Sequence, residues 1–272
     1  MDTGVRAGTV RPPAVAGTFY PAKPDYLRAE VGGLLEGVPP SPALRPKALI
    51  APHAGYPYSG RVAAAAFATL RSISERVRRV VVIGPTHYVR FQGIAVPSSE
   101  AFATPLGRVP IDGEAIADLI ERRLAVLSDA PHAPEHALEV ELPFLQLCVD
   151  DFALVPLVVG DTSPTQVADV LDRLWGKEET LIVVSSDLSH FHPYEVARRR
   201  DAATADAIER ADWATLGPGD ACGFLPVAGL LIEAGRRGLK GARLALCNSG
   251  DTAGPRGEVV GYGAWAFPDR PG

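Results

Sequence analysis

The side chains best suited to chemistry are six histidines and three cysteines, and several of them sit at telling places. His53 closes the run Ala48-Leu49-Ile50-Ala51-Pro52-His53, and His87 closes Val81-Val82-Ile83-Gly84-Pro85-Thr86-His87. Asp187 and His190 follow Ile182-Val183-Val184-Ser185-Ser186. Each is carried just past the end of an apolar, β-branched run. If those runs are parallel strands, their C-terminal ends share one sheet edge, where ligands bind in open α/β sheets. Neutral imidazole is a common ligand for borderline transition metals, so His53 and His87 on one rim favour a metal site. Taken singly, either histidine is equally well an ordinary polar loop residue, and Gly55, Pro57 and Gly60 around His53 would serve a simple turn.

Cys222 lies in Gly219-Asp220-Ala221-Cys222-Gly223, before a helix expected from Pro226. A helix N-terminus favours thiolate over thiol, which suits a metal ligand or a nucleophile. Cys148, in the apolar phase of a helix, and Cys247, inside a strand, read as small buried hydrophobes. His136 and Glu139 are three apart at an expected helix start and would share one face. Glu139 then either orients His136 or is a surface acid. Pro134 as the first helical residue keeps His132 outside that helix, so a His132–His136 metal pair is not expected. His192, beside Pro193, reads as a loop residue. The sequence has no GxGxxG, no P-loop and no GxSxG elbow, which makes a serine hydrolase built on Ser185 or Ser186 a weak idea.

The elements that must position these residues alternate along the chain. Strands are expected at Lys47–Ala51, Val80–Gly84, Gly93–Val96, Ala153–Val159, Leu181–Ser185, Arg243–Cys247 and Val259–Ala266. Helices are expected at Asp25–Leu35, Arg61–Leu70, Gly113–Leu124, Glu135–Val149, Thr165–Trp175, Tyr194–Ala211 and Pro226–Arg236. Val80-Val81-Val82-Ile83 is apolar on both faces, as strands between two helical layers are. The spacing implies βαβ crossovers and an α/β three-layer sandwich: a mainly parallel or mixed central sheet with helices on both faces. Gly93–Thr104 and the C-terminal strand are candidates for antiparallel pairing. The proline-rich stretch Val38–Pro46 is too short and too early to divide two domains, so one domain over residues 1–272 is expected.

Composition narrows the function classes. Apolar residues make up 47% and charged residues 22%, ordinary for a globular protein. A net charge of −5 argues against a nucleic-acid or anionic-membrane binder, which would need a basic face. The run Arg198-Arg199-Arg200 reads as a solvated helix face. Three irregularly spaced cysteines make no disulfide framework, and neither a signal peptide nor a spanning segment is visible, so a cytoplasmic location is expected.

Five ordered motifs carry a resemblance. Ala51-Pro52-His53-Ala54-Gly55-Tyr56, Gly84-Pro85-Thr86-His87, Glu135-His136-Ala137-Leu138-Glu139, Ser185-Ser186-Asp187-Leu188-Ser189-His190 and Ala221-Cys222-Gly223 resemble those of the Memo-like family. Its bacterial and archaeal members are called AmmeMemoRadiSam system protein B. The opening Arg11-Pro12-Pro13-Ala14-Val15-Ala16-Gly17-Thr18-Phe19-Tyr20-Pro21 is also similar, so the likeness spans about Arg11 to Phe267. The family in turn resembles class III extradiol ring-cleavage dioxygenases, which are non-haem iron enzymes. That likeness implies His53 and His87 as metal ligands, His190 as the acid/base histidine and His136 as an aid to substrate orientation. Where those enzymes use a glutamate as third ligand, this sequence has Cys222. A thiolate is softer than a carboxylate, so iron is joined by copper and zinc as a candidate cofactor.

Two functions are expected from this. One is a redox enzyme in which the His53–His87–Cys222 metal site binds a small chelating substrate and His190, oriented by Asp187, moves protons. The other is a metal- or peptide-binding module without turnover, working with AMMECR-type and radical SAM protein partners. A metal-dependent hydrolase is a third reading.

Overall fold

The computed structural model describes residues 9–39 and 44–268. Along the chain the strands are β1 (Val10–Arg11), β2 (Pro46–Ala51), β3 (Arg79–Pro85), β4 (Ile94–Val96), β5 (Ala101–Thr104), β6 (Gly107–Pro110), β7 (Val126–Leu127), β8 (Ala153–Val159), β9 (Thr180–Ser185), β10 (His190–His192), β11 (Ala242–Asn248) and β12 (Val259–Pro268). The helices are α1 (Pro24–Glu36), α2 (Tyr56–Phe67), α3 (Gly113–Glu121), α4 (Leu142–Cys148), α5 (Pro164–Leu174), α6 (Tyr194–Arg210) and α7 (Phe224–Arg237).

The main sheet runs β10-β12-β2-β9-β3-β8-β4-β7, with β11 also paired to β12. Its centre, β2-β9-β3-β8, is parallel, while β12 and β4 flank that centre antiparallel. The sheet is therefore mixed with a parallel heart. Side chains alternate faces along a strand, and here both faces are covered. Leu49, Val80, Val82 and Val183 pack with α1, α2 and α4, whereas Ile50, Val81, Ile83 and Val184 pack with α3, α5, α6 and α7. Two apolar layers explain why these strands read as unbroken hydrophobic runs.

Several boundaries differ from expectation, each for a local reason. The segment Gly93–Thr104 divides, because β4 stays in the main sheet and β5 leaves to form a small sheet β1-β5-β6. Helix α2 starts five residues earlier than Arg61, with Pro57 in its first turn, where a missing N–H is harmless. The helix expected from Glu135 begins only at Leu142, after a 3₁₀ turn at Glu139–Glu141. Pro143 accounts for this: inside a longer helix its ring would strike the carbonyl of residue 139, so it belongs in the first turn. The proline-rich stretch Val38–Pro46 falls partly outside the described residues.

The register fixes where the motif loops emerge. Ala51 lies opposite Ser185, and Ile83 opposite Val184, so β2, β9 and β3 end side by side. The loops holding His53, Asp187 and His87 leave from that one edge.

Candidate metal centre

His53, His87 and His136 converge, each offering a ring nitrogen within 4.8 Å of the others. The ring centroids are 5.1 Å apart for His53 and His87, 5.3 Å for His53 and His136, and 4.5 Å for His87 and His136. Cys222 joins at the other side of His53, its Sγ 3.3 Å from His53 Nε2. One metal ion with bonds of about 2.0 Å to nitrogen and about 2.3 Å to sulfur, tetrahedrally arranged, separates those two atoms by about 3.5 Å. His53 Nε2 and Cys222 Sγ lie close to that separation, whereas the convergent donor group is His53, His87 and His136 and does not take in Cys222.

What holds each imidazole decides which nitrogen it presents. His53 Nδ1 lies 2.7 Å from Ser185 Oγ, the last residue of β9, so its Nε2 faces Cys222. His87 Nδ1 lies 2.8 Å from Glu135 Oε1, and the His87 backbone N–H donates to Glu135 Oε2 at 2.7 Å. Glu135 also accepts from the backbone N–H groups of His136 and Ala137, both at 3.0 Å. This carboxylate hence replaces the helical turn that the sequence suggested around His136. Burial pulls its pKa upward, but the His87 hydrogen bond and charge, with the Ala137 and His87 amides, hold it below the usual carboxylate range. An ionised acceptor on Nδ1 fixes the tautomer and raises the basicity of the free Nε2.

Burial holds His53 well below its ordinary pKa, with His87, His136 and His190 adding like-charge repulsion. Burial, then His87, brings His136 down to about 4. His53 and His136 are therefore neutral near pH 7, the state in which imidazole binds metal. Cys222 sits in different surroundings from those expected. The helix after it starts at Phe224, and burial followed by the nearby Asp187 pushes the thiol well above its ordinary value despite a hydrogen bond from the Asp187 N–H at 3.3 Å. In the apo protein Cys222 is a thiol, and a cation has to displace its proton.

Asp187 and His190 lie beside the cluster, but Asp187 does not orient His190. The Asp187 carboxylate accepts from the His53 N–H at 2.9 Å and so secures the loop after β2, while burial raises its pKa to about 7. His190 Nδ1 instead donates to Leu188 O at 2.9 Å, since a carbonyl can only accept, and Nε2 remains its basic atom. Burial lowers the pKa of His190, and His87 adds to that. Glu139 does not orient His136 either. It is fully buried, pairs with Arg11 at 2.7 Å, and accepts from the Tyr20 hydroxyl and the Ala14 and Val15 amides. The Arg11–Pro21 motif is thereby tied beneath the site, with Arg11 also reaching Glu135 O and His132 O.

Aromatic side chains surround the cluster. Phe19 and Tyr88 stand 4.8 Å and 5.7 Å from His136, and Phe191 stands 5.6 Å from His190. Phe191 is 70% exposed and held at φ 59°, a left-handed conformation that a bulky residue adopts only under constraint. Sequence reasoning missed Glu135, Ser185 as a histidine partner, and Tyr88. The adjacency of Glu135 to His136 in the motif was the available signal.

An α/β sandwich with an imidazole cluster and a thiol at the C-terminal edge of its parallel strands is the class that fold and site define. The family profile described as "Memo-like protein" matches residues 11–266. A MEMO1 family protein of Aquifex aeolicus is 38% identical over 265 residues, covering 93% of this chain and 97% of the relative. Another from Thermotoga neapolitana is 36% identical over 275 residues, covering 93% and 98%, and one from Methanopyrus kandleri is 34% identical over 287 residues, covering 94% and 98%. The chain belongs to the Memo-like family. Among the described residues no helix is long and apolar enough to cross a membrane.

Proposed function

We propose that the chain binds one transition-metal ion between His53, His87 and Cys222 and acts on a small chelating substrate as a dioxygenase-like redox enzyme. The observation that carries this reading is the meeting of Cys222 Sγ with His53 Nε2 at 3.3 Å, beside a His87 imidazole backed by Glu135. Two imidazoles and a sulfur suit iron, copper or zinc. When bound, such a metal supplies a Lewis-acid centre and, for iron or copper, an electron carrier. The chain's own residues do the rest. Glu135 and Ser185 hold the Nδ1 atoms and leave the Nε2 lone pairs facing the pocket. Phe19, Tyr88 and Phe191 offer ring faces to a planar substrate. His190, with Nε2 unprotonated, accepts a proton from a substrate hydroxyl.

The mutual approach of His53, His87 and His136 supports a second reading, a three-histidine site of the kind that activates water for hydrolysis. Anaerobic iron loading followed by oxygen-uptake assays on catechols separates the two. Uptake that disappears in Cys222→Ala and His190→Ala supports the first reading. Absence of uptake by iron-loaded protein, with ester hydrolysis by the zinc form that depends on His136, supports the second.

A further inference from the structure

Behind His53 lies a buried acid that the proposed chemistry does not use. Glu141, at the end of the 3₁₀ turn before α4, is fully buried. Its Oε1 lies 2.8 Å from Ser185 Oγ, and Oε2 has no hydrogen-bond partner among the described residues. Ser185 Oγ has two other close neighbours, Ala137 O at 2.7 Å and His53 Nδ1 at 2.7 Å. Counting protons decides how these are shared. A hydroxyl donates once and accepts twice. Ala137 O can only accept, so the Ser185 proton goes there. The other two short contacts must then each bring a hydrogen of their own, one from His53 Nδ1 and one from Glu141 Oε1. An ionised Glu141 would leave either Glu141 Oε1 or Ala137 O pressed against Ser185 Oγ with no hydrogen between them.

We infer that Glu141 is a neutral carboxylic acid donating to Ser185 Oγ, and that through Ser185 it is a positioning residue keeping the His53 proton on Nδ1 and the Nε2 lone pair toward the pocket. The unpartnered Oε2 fits, because a buried carbonyl oxygen without a partner costs far less than a buried carboxylate oxygen without one. So do the surroundings. Burial drives the carboxyl well above the usual carboxylate range, against the Ser185 hydrogen bond, and the neighbouring Asp187 adds to the rise. From α2, Tyr56 faces the same acid with its hydroxyl committed to Val140 O at 2.8 Å. No cation among these groups is placed to stabilise an ionised Glu141. The Nε2 assignment matters for function only on the metal-site reading above, but the proton on Glu141 is a property of the apo chain.

The test uses metal-free protein at neutral pH. Infrared difference spectra between the wild type and Glu141→Gln are expected to contain a protonated-carboxyl carbonyl band, moved by deuterium exchange and lost in the variant. Isotope-edited histidine NMR is expected to find His53 with its proton on Nδ1 in the wild type. Glu141→Gln is expected to keep that tautomer, since the carboxamide N–H replaces the acid donor, whereas Ser185→Ala loses it. Absence of the band, or a His53 proton on Nε2 in the wild type, overturns the inference. Should Glu141→Gln fail to fold, carbonyl-labelled glutamate in the wild type gives the same reading: one glutamate protonated through neutral pH supports it, and none overturns it. Because no metal is present, a failure here is separate from a failure to bind metal.

Discussion

Replacing Glu135 by alanine probes folding and metal binding at once. The side chain accepts four hydrogen bonds: two from His87, through Nδ1 and the backbone N–H, and one each from the His136 and Ala137 amides. With the carboxylate gone, the amides of His136 and Ala137 stay buried without partners, at about 1–3 kcal/mol each, so Glu135→Ala is expected to lose about 2–6 kcal/mol of stability. His87 meanwhile loses the acceptor that fixes its tautomer. Loss of such a partner weakens metal affinity about 10–100-fold, or about 1.4–2.7 kcal/mol. Glu135→Gln keeps one oxygen acceptor but turns an N–H₂ toward a donor, and should fall between wild type and alanine. Urea unfolding and competition titration with a metal chelator measure the two effects. A Glu135→Ala protein with wild-type affinity and a stability loss under about 1 kcal/mol would refute the role given to this carboxylate.

Three further outcomes follow from the packing. Glu139→Ala leaves the buried Arg11 charge without its carboxylate and should cost about 3–5 kcal/mol in urea unfolding, with Arg11→Met/Glu139→Leu recovering much of that loss. Gly223→Ala would put a Cβ 2.7 Å from Ser186 Cβ and 2.8 Å from Ser185 O, so the Cys222 loop must shift, at about 1–3 kcal/mol, and the reactivity of Cys222 toward thiol reagents should rise. His132 is held down to about 4 by burial, and Arg11 adds to that against a hydrogen bond to Ala95 O. Its folded pKa lies below the unfolded one, so between about pH 6.5 and 4 the unfolded chain binds the extra proton and stability falls as pH falls, by roughly 3 kcal/mol from this residue. His136 shifts the same way, so His132→Gln should flatten the stability–pH curve in that window only in part.

The architecture was legible because burial on two faces writes itself into sequence. Residues 80–83 and 182–184 are apolar at every position, and each run ends before a histidine or aspartate loop. The convergence of His53 and His87 at one edge follows from parallel register, which the alternation of strands and helices already implies. The local wiring was not legible. Glu135 and Glu139 sit four apart in one motif and look alike, yet one orients His87 and the other anchors Arg11 about 130 residues earlier in the chain. Asp187 precedes His190 by three residues, but its carboxylate reaches from the end of β9 to the loop after the neighbouring β2, where it accepts from the His53 amide. These bonds join a side chain either to a remote backbone N–H, which every residue but proline carries, or to a side chain far away in the chain, so they leave no local pattern in the sequence. The late start of α4 is the exception, since Pro143 already forbade a helix through that point.

Metal titration of apo protein, prepared without oxygen, bears most directly on the central claim. One iron or copper ion per chain is expected, with binding lost in His53→Ala and in His87→Ala, and a thiolate-to-metal absorption band that vanishes in Cys222→Ala. A Cys222→Ala protein that binds the metal as tightly as wild type, with no change in its spectrum, would contradict the account.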